Sequence, residues 1–283
     1  MKVSYYPGCS LEGTARDYEE SIQAVCKELE IELQELPDWN CCGATAAHSL
    51  NHWAAISLSG RNLVIAEKMG EDVVVPCPLC FNRLKTAEKA LLGVDKGQFQ
   101  YTLHGKVKVW DMANFISQDG VLDIIESKVK KPLEGLKVVC YYGCMSSRPP
   151  KITDAKDCEN PVSMDRILKC LGADVIPWSY KTDCCGASHV IARPDLVFKL
   201  VGKLYQKAAE VGAECFVVSC QMCQANLDMY QDKVASKLGT EIYFPIFYFT
   251  ELIGLALGNP GVKTWLSRHF VDPLRLLKGK NLI

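Results

Sequence analysis

No stretch of this chain stays apolar for long enough to cross a bilayer comfortably. The most hydrophobic run, YFPIFYFTELIGLALG at 243–258, is interrupted by Pro245 and Glu251. It reads as a buried strand-to-helix segment or as a face that docks on a partner protein. The N-terminus, MKVSYYPGCS, lacks an apolar h-region, so no secretory signal is expected. An excess of one charge is also missing: 32 Lys and Arg stand against 33 Asp and Glu, a net charge of -1. That balance argues against nucleic acid or an anionic membrane as the main partner. No CxxCxxCxxxCP run occurs either, so the chain carries no ferredoxin-like module of its own.

What the chain has is cysteine, fifteen in 283 residues. The odd count, the length and the missing signal fit a reducing cytoplasm better than a disulfide framework. Cysteine in that setting binds metal or does thiol chemistry. With 48% hydrophobic and 23% charged residues, the composition is that of a globular protein with length for one large domain or two ordinary ones.

The cysteines lie in a tandem repeat. KVSYYPGC leads into Cys9 and LKVVCYYGC into Cys144; DWNCCGATAAH and KTDCCGASHV hold the pairs Cys41–Cys42 and Cys184–Cys185; CPLC and CQMC hold Cys77 with Cys80 and Cys220 with Cys223. Cys42 to Cys77 and Cys185 to Cys220 each span 35 positions, whereas Cys9 to Cys41 spans 32 and Cys144 to Cys184 spans 40. The longer interval places a loop insertion around SSRPPKITDAKDCENP. Between these motifs, Tyr18, Ile22, Val25 and Leu29 recur at helical spacing, as do Met164, Ile167, Leu168 and Leu171. The β-branched runs EDVVVPC and ECFVVSC read as strands. KVKVWDMANFI and EIYFPIFYFTELI read as the closing strand–helix pairs. Strands alternating with helices imply right-handed parallel crossovers. The expected architecture is α/β, two tandem related Rossmann-like domains with parallel sheets in a pseudo-twofold arrangement: a first domain over 1–118, a polar connection over 119–136 and a second domain over 137–283.

In an open parallel sheet the C-terminal strand edges converge on the ligand-binding crevice. Cys9, Cys41, Cys42, Cys77 and Cys80 should gather at one such edge, and Cys144, Cys184, Cys185, Cys220 and Cys223 at the other. Thiolates are soft ligands suited to zinc, copper(I) or iron–sulfur centres. Five with two adjacent overfill a tetrahedral zinc and exceed the four of a cubane [4Fe–4S] cluster. The pattern points to a polynuclear iron–sulfur site in which adjacent thiolates serve different irons. Gly8, Gly43, Gly143 and Gly186 would let backbone N–H groups approach cluster sulfur. Cys26, Cys140, Cys158, Cys170 and Cys215 fall outside the repeat and read as small hydrophobes, Cys140 least clearly.

The doubled motif, a lone cysteine, CC and CxxC over nearly the whole chain, resembles the CCG-domain family and within it the B subunit of heterodisulfide reductases. The resemblance implies two noncubane [4Fe–4S] clusters, with all ten patterned cysteines as ligands, facing each other across the domain interface. It also implies a small disulfide or thiol cleaved or formed between them. The partners would be two further subunits of the same complex, the iron–sulfur C component and the flavin-containing A component. YYPGCSLEGTA and DWNCCGATAAH look like the wider branch shared with bacterial and sulfur-metabolising complexes. Other readings are an electron-relay CCG subunit of a hydroxy-acid or succinate:quinone-type oxidoreductase, and a zinc-bound scaffold. His48 and His189 follow the CCG triplets and are candidate proton donors; His52 reads as an exposed helix residue. Lys181, Arg148 and Arg193 are candidate attractors of an anionic substrate. Trp53, Trp110 and Trp178 are expected in cores.

Overall fold

The computed structural model describes residues 1–93, 99 and 101–283. Two four-stranded sheets, every strand parallel to its neighbours, carry the two repeats. The first comprises β1 Lys2–Tyr5, β2 Glu32–Glu35, β3 Val73–Val75 and β4 Val109–Asp111, in the order β2-β1-β3-β4. The second comprises β5 Lys137–Tyr141, β6 Asp174–Val175, β7 Cys215–Val218 and β8 Ile246–Tyr248, in the matching order β6-β5-β7-β8. Helices cover both faces of the central strands, so β3 and β7 are buried at every position and read as continuous apolar runs. The edge strand β2 is polar, ELQE, and partly exposed, which discourages pairing with another chain.

The halves are joined by exchanged helices. Helix Arg16–Glu28 of the first half buries Tyr18, Ile22, Val25 and Cys26 on one face and packs against Phe249–Leu257, the closing helix of the second half. Its counterpart Ser163–Cys170 packs against Met112–Ile116, the closing helix of the first. Phe249–Leu257 is buried at every residue, as expected of a helix apolar all round. The hydrophobic run at 243–258 is therefore covered by this chain itself. At the first contact the Tyr18 and Tyr248 rings stack with centroids 4.1 Å apart, and the buried Ser21 and Thr250 hydroxyls meet at 2.7 Å. Residues 119–136, expected as a polar connection, contain a helix, Asp119–Lys128, whose Val121 and Ile125 are buried. One turn apart, these two outweigh the polar residues around them, and the amides of Lys130 and Lys131 then donate to the Ala256 carbonyl.

The C-terminal segment carries helices Val262–Leu266 and Leu274–Gly279, the first packed on Arg16–Glu28. It delivers His269 between two carboxylates, with Nε2 2.9 Å from Glu251 Oε1 and 3.6 Å from Asp17 Oδ2. Burial would push the imidazole pKa down, but the Glu251 charge and hydrogen bond, with Asp228 and Asp17, hold it up at about 9. A pKa raised above the unfolded value of about 6.5 stabilises fully below that value, and the contribution fades as pH rises through about 9. Thermal melts of the full chain should show stability falling between pH 7 and 9.5. His269→Gln should remove this part of the slope and, by unpairing buried carboxylates, cost about 3 kcal/mol at pH 7. An unchanged slope in that variant would place the titration elsewhere.

Candidate thiolate centres

Both cysteine sets lie at the C-terminal edges of their sheets. Gly8 and Gly143 end the turns after β1 and β5 with φ of 72° and 64°. A Cβ at either position would sit 2.9 Å from the next half-motif's sulfur, Cys80 Sγ for Gly8 and Cys223 Sγ for Gly143. Only glycine permits both the left-handed backbone and that approach. Gly43 and Gly186, after the CC pairs, also have positive φ. Their amides face the preceding sulfurs, Gly43 N at 3.5 Å from Cys41 Sγ and Gly186 N at 3.2 Å from Cys184 Sγ. Cys77 and Cys220 precede the helices Pro78–Leu92 and Gln221–Asp228, whose first turns have free N–H groups.

The thiols share protons within each set. The Cys41 thiol, then that of Cys80, donates to Cys42 and, with Ala44 N–H and the Arg83 charge, pulls it down to about 3 in spite of burial. A hydrogen bond from Cys144 lowers Cys184 to about 6 against burial, aided by Gly186 N–H and the charge of His189. Cys185, 3.7 Å from Cys223, is lowered by that bond despite its burial; the donors Cys41, Cys80, Cys144 and Cys223 are correspondingly raised. Cys9 is exposed and close enough for its charge to help raise Cys41. A soft cation would displace these protons and bind sulfur in their place. Five sulfurs per edge, with glycine amides alongside, fit an iron–sulfur centre.

Sequence reasoning missed the tyrosines that support the CC turns. Tyr5 pairs with Val74, three residues before Cys77, whereas Cys140 pairs with Val217, three before Cys220. Tyr6 therefore corresponds to Tyr141, and the two Tyr-Tyr pairs are offset by one residue. The Tyr6 hydroxyl donates to the Asn40 carbonyl at 2.8 Å and the Tyr141 hydroxyl to the Asp183 carbonyl at 2.7 Å, each immediately before a CC pair. Counting three residues back from the lone cysteines, Cys9 and Cys144, would have aligned them. Asn226 Nδ2 adds a bond to the Cys185 carbonyl at 3.2 Å.

The first CxxC segment reaches the second centre at the interface. Asn82, fully buried two residues after Cys80, donates across it to the Met145 and Arg148 carbonyls at 3.1 and 2.9 Å. Pro78 and Leu79, inside the first CxxC, line a cavity of about 50 Å³ together with Cys144, Met145, Cys185 and Met222 of the second half. The buried Tyr18 ring lies within electrostatic reach of both Cys77 and Cys220.

A family model described as "Cysteine-rich domain", CCG, matches residues 3–85 and 138–228. The chain belongs to the CCG cysteine-rich domain family. Its relatives include the 8-methylmenaquinol:fumarate reductase membrane anchor subunit of Wolinella succinogenes, 33% identical over 97% of this chain and 99% of the relative. The B subunit of the ferredoxin/F(420)H(2)-dependent CoB-CoM heterodisulfide reductase of Methanosarcina acetivorans is 27% identical over 98% and 96%. A hypothetical protein from Helicobacter pylori shares the fold, with a TM-score of 0.74 at 9% identity; the match covers 96% of this chain and about half of that one, 52%.

The other singled-out residues of this CCG chain lie as follows. Cys26, Cys140 and Cys215 are buried in the core, whereas Cys158 and Cys170 are half-buried. Burial, then Glu19, pushes Cys26 up to about 12. Cys140 precedes Tyr141 on β5, so strand alternation turns it to the opposite face. His48 and His52 are exposed; Arg83 Nη1 lies 2.9 Å from His48 Nδ1, and its charge lowers the His48 pKa, which works against His48 as a resident proton donor. His189 closes the turn Ala187–His189 and is exposed. Lys181 is buried on Asp165 at 2.8 Å, Arg148 binds Glu159 and Thr182, and Arg193 pairs with Asp195 at 2.9 Å, so none is a free anion attractor. Trp178 is buried as expected and Trp110 half-buried, but Trp53 is 41% exposed because it starts the helix His52–Met69 on its solvent side.

Gly8→Ala and Gly143→Ala should each lower the unfolding midpoint in urea by at least about 1 kcal/mol equivalent. Gly120→Ala, with nothing within 4 Å of the added Cβ and ordinary helical φ, should be neutral or stabilising. Asn82→Ala orphans two interface carbonyls and should cost about 2 to 3 kcal/mol in the same assay; a loss below 0.5 kcal/mol, roughly that of a surface change, would mean the interface does not rest on Asn82.

Proposed function

We propose that this chain is the two-cluster subunit of a multisubunit oxidoreductase of the heterodisulfide reductase B type, acting on a small disulfide or thiol. Cys9, Cys41, Cys42, Cys77 and Cys80 would hold one noncubane [4Fe–4S] cluster, and Cys144, Cys184, Cys185, Cys220 and Cys223 the other. The observation that carries this reading is the approach of Pro78 and Leu79, inside the first CxxC, to the cysteines of the second set across a gap lined by sulfur and apolar groups, among them Met145 and Met222. That lining suits a sulfur compound and excludes water from it. When bound, the clusters supply one-electron transfer on either side of the gap.

The chain's own residues then have separable tasks. Gly8 and Gly143 admit the Cys80 and Cys223 sulfurs to the turns. The amides of Gly43 and Gly186 stabilise charge on Cys41 and Cys184. Tyr6 and Tyr141 fix the CC turns, and Asn82 fixes the distance between centres. His189 is the remaining proton-donor candidate, because the Arg83 charge opposes protonation of His48. Electrons would come from partners of the iron–sulfur C and flavin A kinds. Such a complex would work in the cytoplasm; among the described residues no helix is long and apolar enough to cross a membrane.

A second reading has its own support. The relative at 33% identity is named a subunit of an 8-methylmenaquinol:fumarate reductase, which favours an electron relay between a quinol and a partner enzyme. Both readings require about eight irons per chain from two four-iron clusters. Anaerobic purification of the complex should give that ratio, with Cys77→Ser and Cys220→Ser each removing about half of it. Assay of the same preparation separates the readings. Reduced-viologen-driven disulfide reduction that disappears in both serine variants supports the first. Quinol oxidation without any disulfide turnover would replace it by the second, and a colourless zinc protein would sink both.

A further inference from the structure

The duplication is unequal at the two helix exchanges. Where Arg16–Glu28 meets Phe249–Leu257, the space beyond the sheet edge is filled by the stacked Tyr18 and Tyr248 and closed by the C-terminal segment with His269. By strand register and helix-end hydrogen bonds, the corresponding positions at the other exchange are Asn160 for Tyr18 and Asp111 for Tyr248. There the space is a cleft of about 530 Å³, well within the size of small-ligand sites.

One wall of the cleft is the insertion that distinguishes the second repeat, contributing Ser146, Thr153, Lys156 and Asn160. The floor is the end of β4, with Lys108, Trp110 and Asp111. Phe81, next to Cys80, and Tyr142, two before Cys144, bring it alongside both centres. Asp111 is buried at 2% exposure; its Oδ2 accepts from Asn114 N at 3.1 Å, and its Oδ1 has no partner. Burial raises its pKa to about 7, against the Asn114 and Ala113 amides, so near neutrality the free oxygen carries a proton much of the time and can donate it to a ligand acceptor.

The charges lining the cleft are not balanced. Asp154 is engaged by Lys85 at 2.9 Å and Lys89 at 2.6 Å, and Arg166 by Asp119. Lys108, whose ammonium lies 3.2 Å from the Trp110 ring centroid, and Lys156 have no ion pair among the described residues. Four cations and three carboxylates line the cleft; of the carboxylates, Asp111 and Asp157 have no ion pair among the described residues, and Asp157 Oδ1 accepts instead from the Glu159 and Asn160 amides at 3.1 and 2.9 Å.

We propose that this cleft is a second binding site, for a small organic anion, in which Lys108 and Lys156 supply the charge and the free Asp111 oxygen a hydrogen bond. The ligand would touch both halves beside, and not within, the thiolate gap. A carboxylate and a phosphate offer the same acceptor oxygens and are separated by experiment. This assignment does not depend on the proposed function, because iron content reports the thiolate centres and titration reports the cleft.

Isothermal titration of the full, cluster-containing chain with succinate in one arm and inorganic pyrophosphate in the other tests it. Saturable one-site binding is expected in at least one arm. The double variant Lys108→Glu/Lys156→Glu should weaken it at least tenfold, about 1.4 kcal/mol, with iron content and melting midpoint unchanged. Asn160→Trp, which fills the cleft from its exposed wall, should abolish it. No binding of either anion, binding that survives both variants, or binding lost on charge reversal but kept in Asn160→Trp would each overturn the assignment.

Discussion

Everything in this molecule is arranged around bringing five sulfur atoms to one sheet edge, twice. Sulfurs that close share protons, so some thiols are pulled down and their neighbours pushed up, as with Cys42 between Cys41 and Cys80. The backbone has to come as near as the sulfurs do. Gly8 and Gly143 meet that demand where any side chain would collide with Cys80 or Cys223. The parallel sheet supplies the rest, since right-handed crossovers return successive strands with the same ends together.

Joining two such edges needs an interface that does not slide. The exchanged helices provide it through burial on all sides of Phe249–Leu257, and the polar contacts then set the register. Ser21 with Thr250, Asn82 with two carbonyls and His269 between Glu251 and Asp17 are all buried. A buried polar group without its partner costs several times what the pair contributes, so each of these contacts selects one relative placement. Departures from symmetry occur where the chain has extra length. The C-terminal segment plugs one exchange, and the insertion at 145–162 walls the cleft at the other.

Much of this was legible in the residues. Equal spacings from Cys42 to Cys77 and from Cys185 to Cys220 displayed the duplication, and the β-branched runs before CxxC displayed the central strands. The helix at Asp119–Lys128 was hidden because only Val121 and Ile125 are buried in an otherwise polar stretch. Lys181 looked like a surface cation because nothing local reveals that Asp165, sixteen residues earlier, meets it in the core. Trp53 looked like core because a large apolar side chain says nothing of which side of its helix faces water.

By itself the sequence determined the sulfur count, the repeat and the order of strands, because covalent spacing and side-chain periodicity act along the chain. Only the tertiary structure decided that Tyr6 and Tyr141 brace the CC turns, that Asn82 crosses the interface, and that one helix exchange is filled while the other stays open. Those outcomes depend on which groups meet from distant parts of the chain, and the cost of leaving a buried polar group unpaired, or a left-handed turn with a side chain, is set at that meeting.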